Sequence, residues 1–229
     1  MPLILQIETA TQTCSVALAQ DGKVLQSIQK TEKNIHASYL TLFIEELLKK
    51  SERNYQDLSA VAVSMGPGSY TGLRIGVSTA KGLCYALDIP LIAVNTLEAM
   101  AAGFKQKCFS VNGNSLFCPM IDARRMEVYH AVFDDRLKPI AETAAKIIDE
   151  ESFNDLLRDH KVYFFGDGAA KCEELLGKNP NARVMDDYLC NADDLTFLAL
   201  KKFNDHDFED VAYFEPFYLK DFVAGKKKV

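Results

Sequence analysis

The residues with the most chemical potential lie in GPGSYTGLRIG, Gly66–Gly76, where glycines and hydroxyls follow an apolar run and open a helical pattern. A phosphate-gripping loop of the P-loop kind needs a lysine at the helix start, and none stands there. Arg74, two residues into the helix, could face an anion near the positive helix end. A plainer reading makes Gly66, Pro67 and Gly68 a sharp turn, with Ser69 or Thr71 capping the helix. Within that helix Gly72, Gly76, Ala80 and Cys84 recur every four residues, leaving one face nearly bare. Glycine in a helix interior costs up to about 1 kcal/mol against alanine, so close packing by another element is expected to offset it. The pattern does not say whether that element is internal or another chain.

Other chemical groupings are thinner. Ser78-Thr79-Ala80-Lys81 matches S-x-x-K, but the companion motifs of serine acylases are missing. Glu8 with the hydroxyls of TATQT, Thr9–Thr13, could hold phosphate in a hairpin turn, although no glycine follows Glu8. GDGAAK, Gly166–Lys171, reads either as an adenosine-facing turn or as an ordinary turn capped by Asp167 or Gly168. DARRMEVY places Asp122, Arg124, Arg125 and Glu127 around a hairpin, as an ion-pair network or a functional cluster. His36 opens a helix without a second histidine one turn later, where Leu40 stands. It reads as a helix-entry or interface residue, and His130, His160 and His206 lack partners at useful spacing. The six cysteines form no C-x-x-C pair, so zinc-ligand spacing is absent and free thiols are expected.

These groups need a frame. The 229 residues carry a net charge of -6 with 48% hydrophobic and 25% charged residues, an ordinary globular mix. Such a chain has no net attraction for nucleic acid, and its basic run, Lys226–Lys228, reads as a solvated tail. Neither a signal peptide nor a membrane span is expected. Apolar runs at Leu3–Glu8, Ala60–Met65 and Leu91–Val94 read as strands, and Cys14–Ala19 and Lys23–Ile28 flank a hairpin turn at Asp21-Gly22. His36–Lys50 and Thr71–Leu87 read as helices, and Asn95 or Thr96 caps a third. A second start follows: Leu116–Asp122, then Glu127–Phe133 and Leu137–Ile140 around Asp134-Asp135. Aligning Ile7-Glu8 with Ile121-Asp122 brings Asp21 within one residue of Asp134, which predicts an internal duplication. Val162–Phe165, Ala182–Met185 and a helix over Asp194–Phe203 complete the second half, with the boundary near Gln106–Ser115.

The segments LILQIETATQTCSVAL, SMGPGSYTGLRIGVSTAKGL, IPLIAVNTLEAMA, IDARRMEVY and PFYLKDF together resemble the bacterial TsaB (YeaZ) family. The resemblance implies an α/β, duplicated actin-like and sugar-kinase-like ATPase (ribonuclease H-like) fold, two lobes with mixed sheets flanked by helices. It divides the chain into an N-terminal lobe 1–105, a C-terminal lobe 106–210, and a segment 211–229 packing back on the first lobe. It implies a cytoplasmic, non-catalytic scaffold that pairs with TsaD and, with TsaE, serves threonylcarbamoyl transfer to the adenosine beside the anticodon of tRNAs. No intrinsic activity, cofactor or metal is then expected of this chain, with ATP and metal on its partners and tRNA reached through the complex. The family's docking surface comes from the first two helices, which also self-pair without TsaD. On that basis Tyr39, Leu40, Phe43, Leu47, Gly72, Arg74, Gly76 and Lys81 are the expected contact residues. A bulky residue at Gly76 is expected to abolish the complex and leave the fold intact. Two departures stand out: Glu8 replaces the usual aspartate, and His36-Ala37-Ser38 replaces His-Ser-Glu. A sugar or acyl kinase of the same fold, or a peptidase acting on the partner, are the alternatives.

Overall fold

The computed structural model describes residues 1–107 and 114–220. The polar stretch expected at the lobe boundary and the Lys226–Lys228 run fall largely or wholly outside them.

The first lobe is built on β1 (Leu3–Glu8), β2 (Thr13–Gln20), β3 (Lys23–Thr31), β4 (Ala60–Gly66) and β5 (Leu91–Asn95), in the order β3-β2-β1-β4-β5. The second lobe uses β6 (Ser115–Asp122), β7 (Glu127–Phe133), β8 (Pro139–Ile147), β9 (Lys161–Phe165) and β10 (Ala182–Met185). Its order, β10-β9-β6-β7-β8, is the same arrangement again. In each, the first three strands are antiparallel and the last two join in parallel. The duplication expected from the paired Glu8 and Asp122 is therefore real, and the fold is the two-lobed α/β fold with mixed sheets flanked by helices. Asp21 and Gly22 both have positive φ, as the two-residue hairpin turn requires. The second turn is longer. Asp134 accepts from the backbone N–H groups of Arg136 and Lys138, Leu137 is left-handed, and β8 starts only at Pro139.

β1 and β4 are apolar on both sides because both faces of the first sheet are covered. Leu5, Ile7, Val61 and Val63 face α1 (His36–Lys50) and α2 (Tyr70–Leu87). Ile4, Ala60, Ala62, Ile92 and Val94 face α3 (Thr96–Lys107) and α7 (Thr196–Asn204). Helix α3 is buried on nearly every side, since Ala99 and Ala102 meet the first sheet while Leu97, Met100 and Phe104 meet the second. Its Asn95 cap accepts from Leu97 and Glu98 N–H. Helix α7 thus belongs to the first lobe's core although it follows the second lobe in sequence. The Ala192–Leu195 turn leading into it is fastened by Ala192 N–H to Ser15 Oγ, and Thr196 Oγ1 donates to Gln6 Oε1. Asp194, fully buried, accepts from Tyr188 Oη at 2.7 Å and pairs with Lys107 at 3.0 Å. Between β7 and α7 lie the short helices α4 (Asn154–Asp159), α5 (Asp167–Ala170) and α6 (Glu173–Leu176).

Candidate functional site

Helix α2 begins as read, with the Ser69 side chain accepting from Gly72 N–H. Gly72 and Gly76 of the helix, and Gly68 just before it, meet the loop after β1, not solvent. A Cβ at Gly72 would stand 2.1 Å from the Thr9 carbonyl oxygen, one at Gly76 2.2 Å from Thr9 Oγ1, and one at Gly68 2.5 Å from the Ala10 carbonyl oxygen. Ser69 N–H donates to that Ala10 carbonyl at 2.7 Å. The donors that would have cradled a phosphate therefore serve the chain's own backbone. The stripe Gly72, Gly76, Ala80 and Cys84 is sealed inside the monomer.

This corrects much of the expected contact set. Gly72 and Gly76 are interior, and Leu40, Phe43 and Leu47 lie in the first lobe's core. None of the five is available to a partner, and the expectation that Gly76 tolerates a bulky residue fails against Thr9. Tyr39 is 38% exposed, stacked on Phe43 and under Lys30, and Arg74 is exposed. Lys81 is half-buried, its ammonium donating to the carbonyls of Ala212 and Phe214. It is committed to the C-terminal segment and does not serve an S-x-x-K nucleophile.

What α2 does present outward is a second small-residue row. Ser78, Gly82 and Ala86 are all exposed, and a Cβ on Gly82 would meet nothing within 4 Å. At roughly 100° per residue this row lies nearly opposite the buried one. Arg74 and Tyr85, the latter 86% exposed, border it; Tyr39 and Leu42 are exposed on α1, Tyr39 on the side of Lys30 of β3. The signal was available: the buried row is flanked by Leu73 and Val77, the outer one by Arg74 and Lys81.

Residues 211–220 run along the other margin of α2. Val211 and Phe214 pack on the first core, Phe217 N–H donates to Met65 O, and Tyr218 stacks near Tyr70 at 4.6 Å between ring centres. Gly66, at φ +116°, must be glycine because Phe217 O lies against it. Between this strap and α2 runs a groove of about 390 Å³, lined by Tyr70, Arg74, Ser78, Lys81, Glu215 and Tyr218 among others.

The remaining groups sort by exposure. Glu8, wholly buried, accepts from Ala10 N–H at 2.6 Å, and burial pushes its carboxyl up to about 7. His36 is buried beside the Thr13 carbonyl, and burial lowers its imidazole pKa. The acidic groups of DARRMEVY do form ion pairs, but with distant lysines: Asp122 with Lys171, and Glu127 with Lys220 of the strap. Asp167 accepts from Asp122 N–H, so the GDGAAK turn closes on β6. Among the described residues no group of three or more His, Cys, Asp or Glu could hold a metal ion, and no helix is long and apolar enough to cross a membrane.

Comparison with known proteins points one way. A family model described as TsaD, tRNA N6-adenosine threonylcarbamoyltransferase, matches residues 23–227. The tRNA threonylcarbamoyladenosine biosynthesis protein TsaB of Escherichia coli (strain K12) is 32% identical over 229 residues, covering 98% of this chain and 97% of the relative. A tRNA N6-adenosine threonylcarbamoyltransferase of Desulfovibrio desulfuricans is 32% identical over 121 residues, 45% of this chain and 34% of the relative. Among solved structures, YeaZ from Pseudomonas aeruginosa superposes with a TM-score of 0.77 at 27% identity, covering 96% of this chain and 100% of that one.

Proposed function

Because the chain belongs to the TsaB (YeaZ) family, within the wider group that the TsaD model describes, we propose that it is a cytoplasmic scaffold for tRNA threonylcarbamoyladenosine formation. It pairs directly with TsaD, works in a complex that also contains TsaE, and does no chemistry of its own. Nucleotide and metal sit on the partner subunits, and tRNA is met through the assembly.

The observation that carries this reading is the outer row Ser78, Gly82 and Ala86 between Arg74 and Tyr85. A glycine in an exposed helix interior weakens the helix by up to about 1 kcal/mol, and none of the described residues makes use of its missing side chain. A second helix lying against that row would, since small residues let two helix axes approach and gain dispersion contacts over a broad strip. Tyr85 supplies the amphipathic rim that such contacts favour. In the absence of TsaD the same face pairs with a second copy of the chain.

The kinase alternative finds no support in the geometry, since the first hairpin loop is packed beneath α2.

The test is complex formation with TsaD of the same organism, measured by size and by titration. Gly82→Leu adds bulk where the monomer has room, so the melting temperature should hold while affinity falls at least about tenfold, a loss of roughly 1.4 kcal/mol. Tyr85→Ala should weaken binding by a similar factor. Full affinity in both variants would place the partner elsewhere.

A further inference from the structure

The hairpin loop that is buried in the first lobe has a counterpart that is open. Aligning Glu8 with Asp122 sets Thr9, Ala10, Thr11 and Gln12 against Ala123, Arg124, Arg125 and Met126. In the second lobe the element following β9 is the one-turn α5, whose Gly168 packs on Ile121 and whose capping Lys171 holds Asp122 and the Glu127 carbonyl at the two ends of the loop, leaving its tip uncovered. Arg124, Arg125 and Met126 are consequently exposed.

Three observations single this turn out. Arg124 and Arg125 stand consecutively at φ +70° and +51°, a left-handed conformation that side chains other than glycine and asparagine seldom adopt. Neither guanidinium has a hydrogen-bond or ion-pair partner among the described residues; the Arg124 backbone alone is engaged, its N–H donating to Asp122 Oδ1 and its carbonyl accepting from Glu127 N–H. The carboxylates on either side are already neutralised, Asp122 by Lys171 and Glu127 by Lys220. A chain of net charge -6 thus holds two uncompensated arginines out on a strained turn, beside Tyr129 with Lys220 about 6.0 Å over its ring. Strain of this kind in a turn points to use, because a looser sequence would hold the hairpin at less cost.

We propose that the Arg124–Arg125 turn is a contact for the phosphodiester backbone of RNA. Guanidinium forks bind phosphate oxygens in pairs, and such contacts position a nucleic acid without reading its sequence. The turn is exposed and lines neither the groove beside α2 nor the one lined by Asp149, Asn154 and Lys178. A mononucleotide wants enclosure on several sides; a polyanion held by its backbone does not. The proposal rests on the tRNA reading above and adds to it a place where this chain itself touches the nucleic acid.

The experiment compares wild type with Arg124→Asn/Arg125→Asn, which removes both charges and suits the left-handed turn. Each is assembled with TsaD, and labelled tRNA is titrated by fluorescence anisotropy at several salt concentrations. Co-elution with TsaD and the melting temperature should be retained. Affinity for tRNA should fall about tenfold, and the slope of log affinity against log salt should become shallower by about 1 to 2. Arg124→Lys/Arg125→Lys should keep most of the salt slope. Unchanged affinity and slope in the asparagine variant overturn the proposal. If wild type does not co-elute with TsaD, the scaffold reading falls. The same titration on the isolated chain at low salt then decides the RNA contact, by the presence or absence of the shallower slope.

Discussion

The two loops that follow β1 and β6 began as one design and now do opposite things. In the first lobe the loop is clamped under an 18-residue helix whose glycines were cleared to admit it. In the second, a 4-residue helix leaves the loop standing in solvent with two arginines on it. The difference teaches that what an equivalent hairpin can bind is set less by its own residues than by the length of the helix behind it. Where that helix is long its N-terminal donors are consumed by the chain itself, through Ser69 N–H to Ala10 O and Gly72 N–H to Ser69 Oγ.

The clamp breaks most easily at Gly72. Gly72→Ala drives a methyl group against the Thr9 carbonyl, a backbone atom that cannot swing aside, so we expect a loss of roughly 3 kcal/mol or more in urea unfolding. A loss below 1 kcal/mol would mean that the loop is not pinned.

Next in size is Glu8, the carboxyl sealed under that clamp. Burial raises it from 4.5 to about 7, so between those values the folded chain keeps a proton that the unfolded chain has released. Stability conferred by this group is therefore present in acid and lost as pH rises from 4.5 through 7, by on the order of 3 kcal/mol. Asp194 and Asp167 are raised by burial as well and add a slope of the same sign. Glu8→Gln should flatten the decline and leave the protein more stable than wild type at pH 8. A stability curve parallel to wild type from pH 5 to 8 would refute it.

The open loop should respond in the reverse sense. Arg124→Asn/Arg125→Asn relieves the left-handed strain and should raise stability by about 1 kcal/mol even as it weakens tRNA binding. A drop in stability would show that the guanidiniums hold the turn together.

Smallest is Gly82→Ala on the outer face of α2. With nothing near the new methyl, it should stabilise the monomer by up to about 1 kcal/mol in thermal unfolding. Destabilisation there would reveal a contact within the monomer.

Much of the frame was legible from the chain alone. Strand and helix positions follow from periodicity and turn residues, and Ala182–Met185 was placed to the residue. The duplication could be read from Glu8 and Asp122 because both end buried strands at the same step of the repeat. The contact surface was legible only in part. Two rows of small residues run along α2 at the same four-residue spacing, and spacing alone cannot tell inward from outward; the flanking Leu73, Val77 and Arg74 do. Leu40 and Leu47 were assigned to a partner although their period already marked them as core. Long-range pairing was beyond reach, since nothing near Asp122 or Glu127 names Lys171 or Lys220 as its counter-ion. A segment packing back on the first lobe was expected from the family resemblance, but not that its carbonyls hold Lys81.

The crossing of α7 onto the first sheet carries a consequence for how the protein is made. Ile4, Ala60, Ala62 and Ile92 are finished on one side by Leu195, Leu198 and Ala199. As the polypeptide leaves the ribosome, its early half therefore waits with a greasy flank uncovered until α7 has emerged. Cutting the gene after the third helix should release a sticky fragment, and supplying the remainder as a separate piece should rescue its solubility.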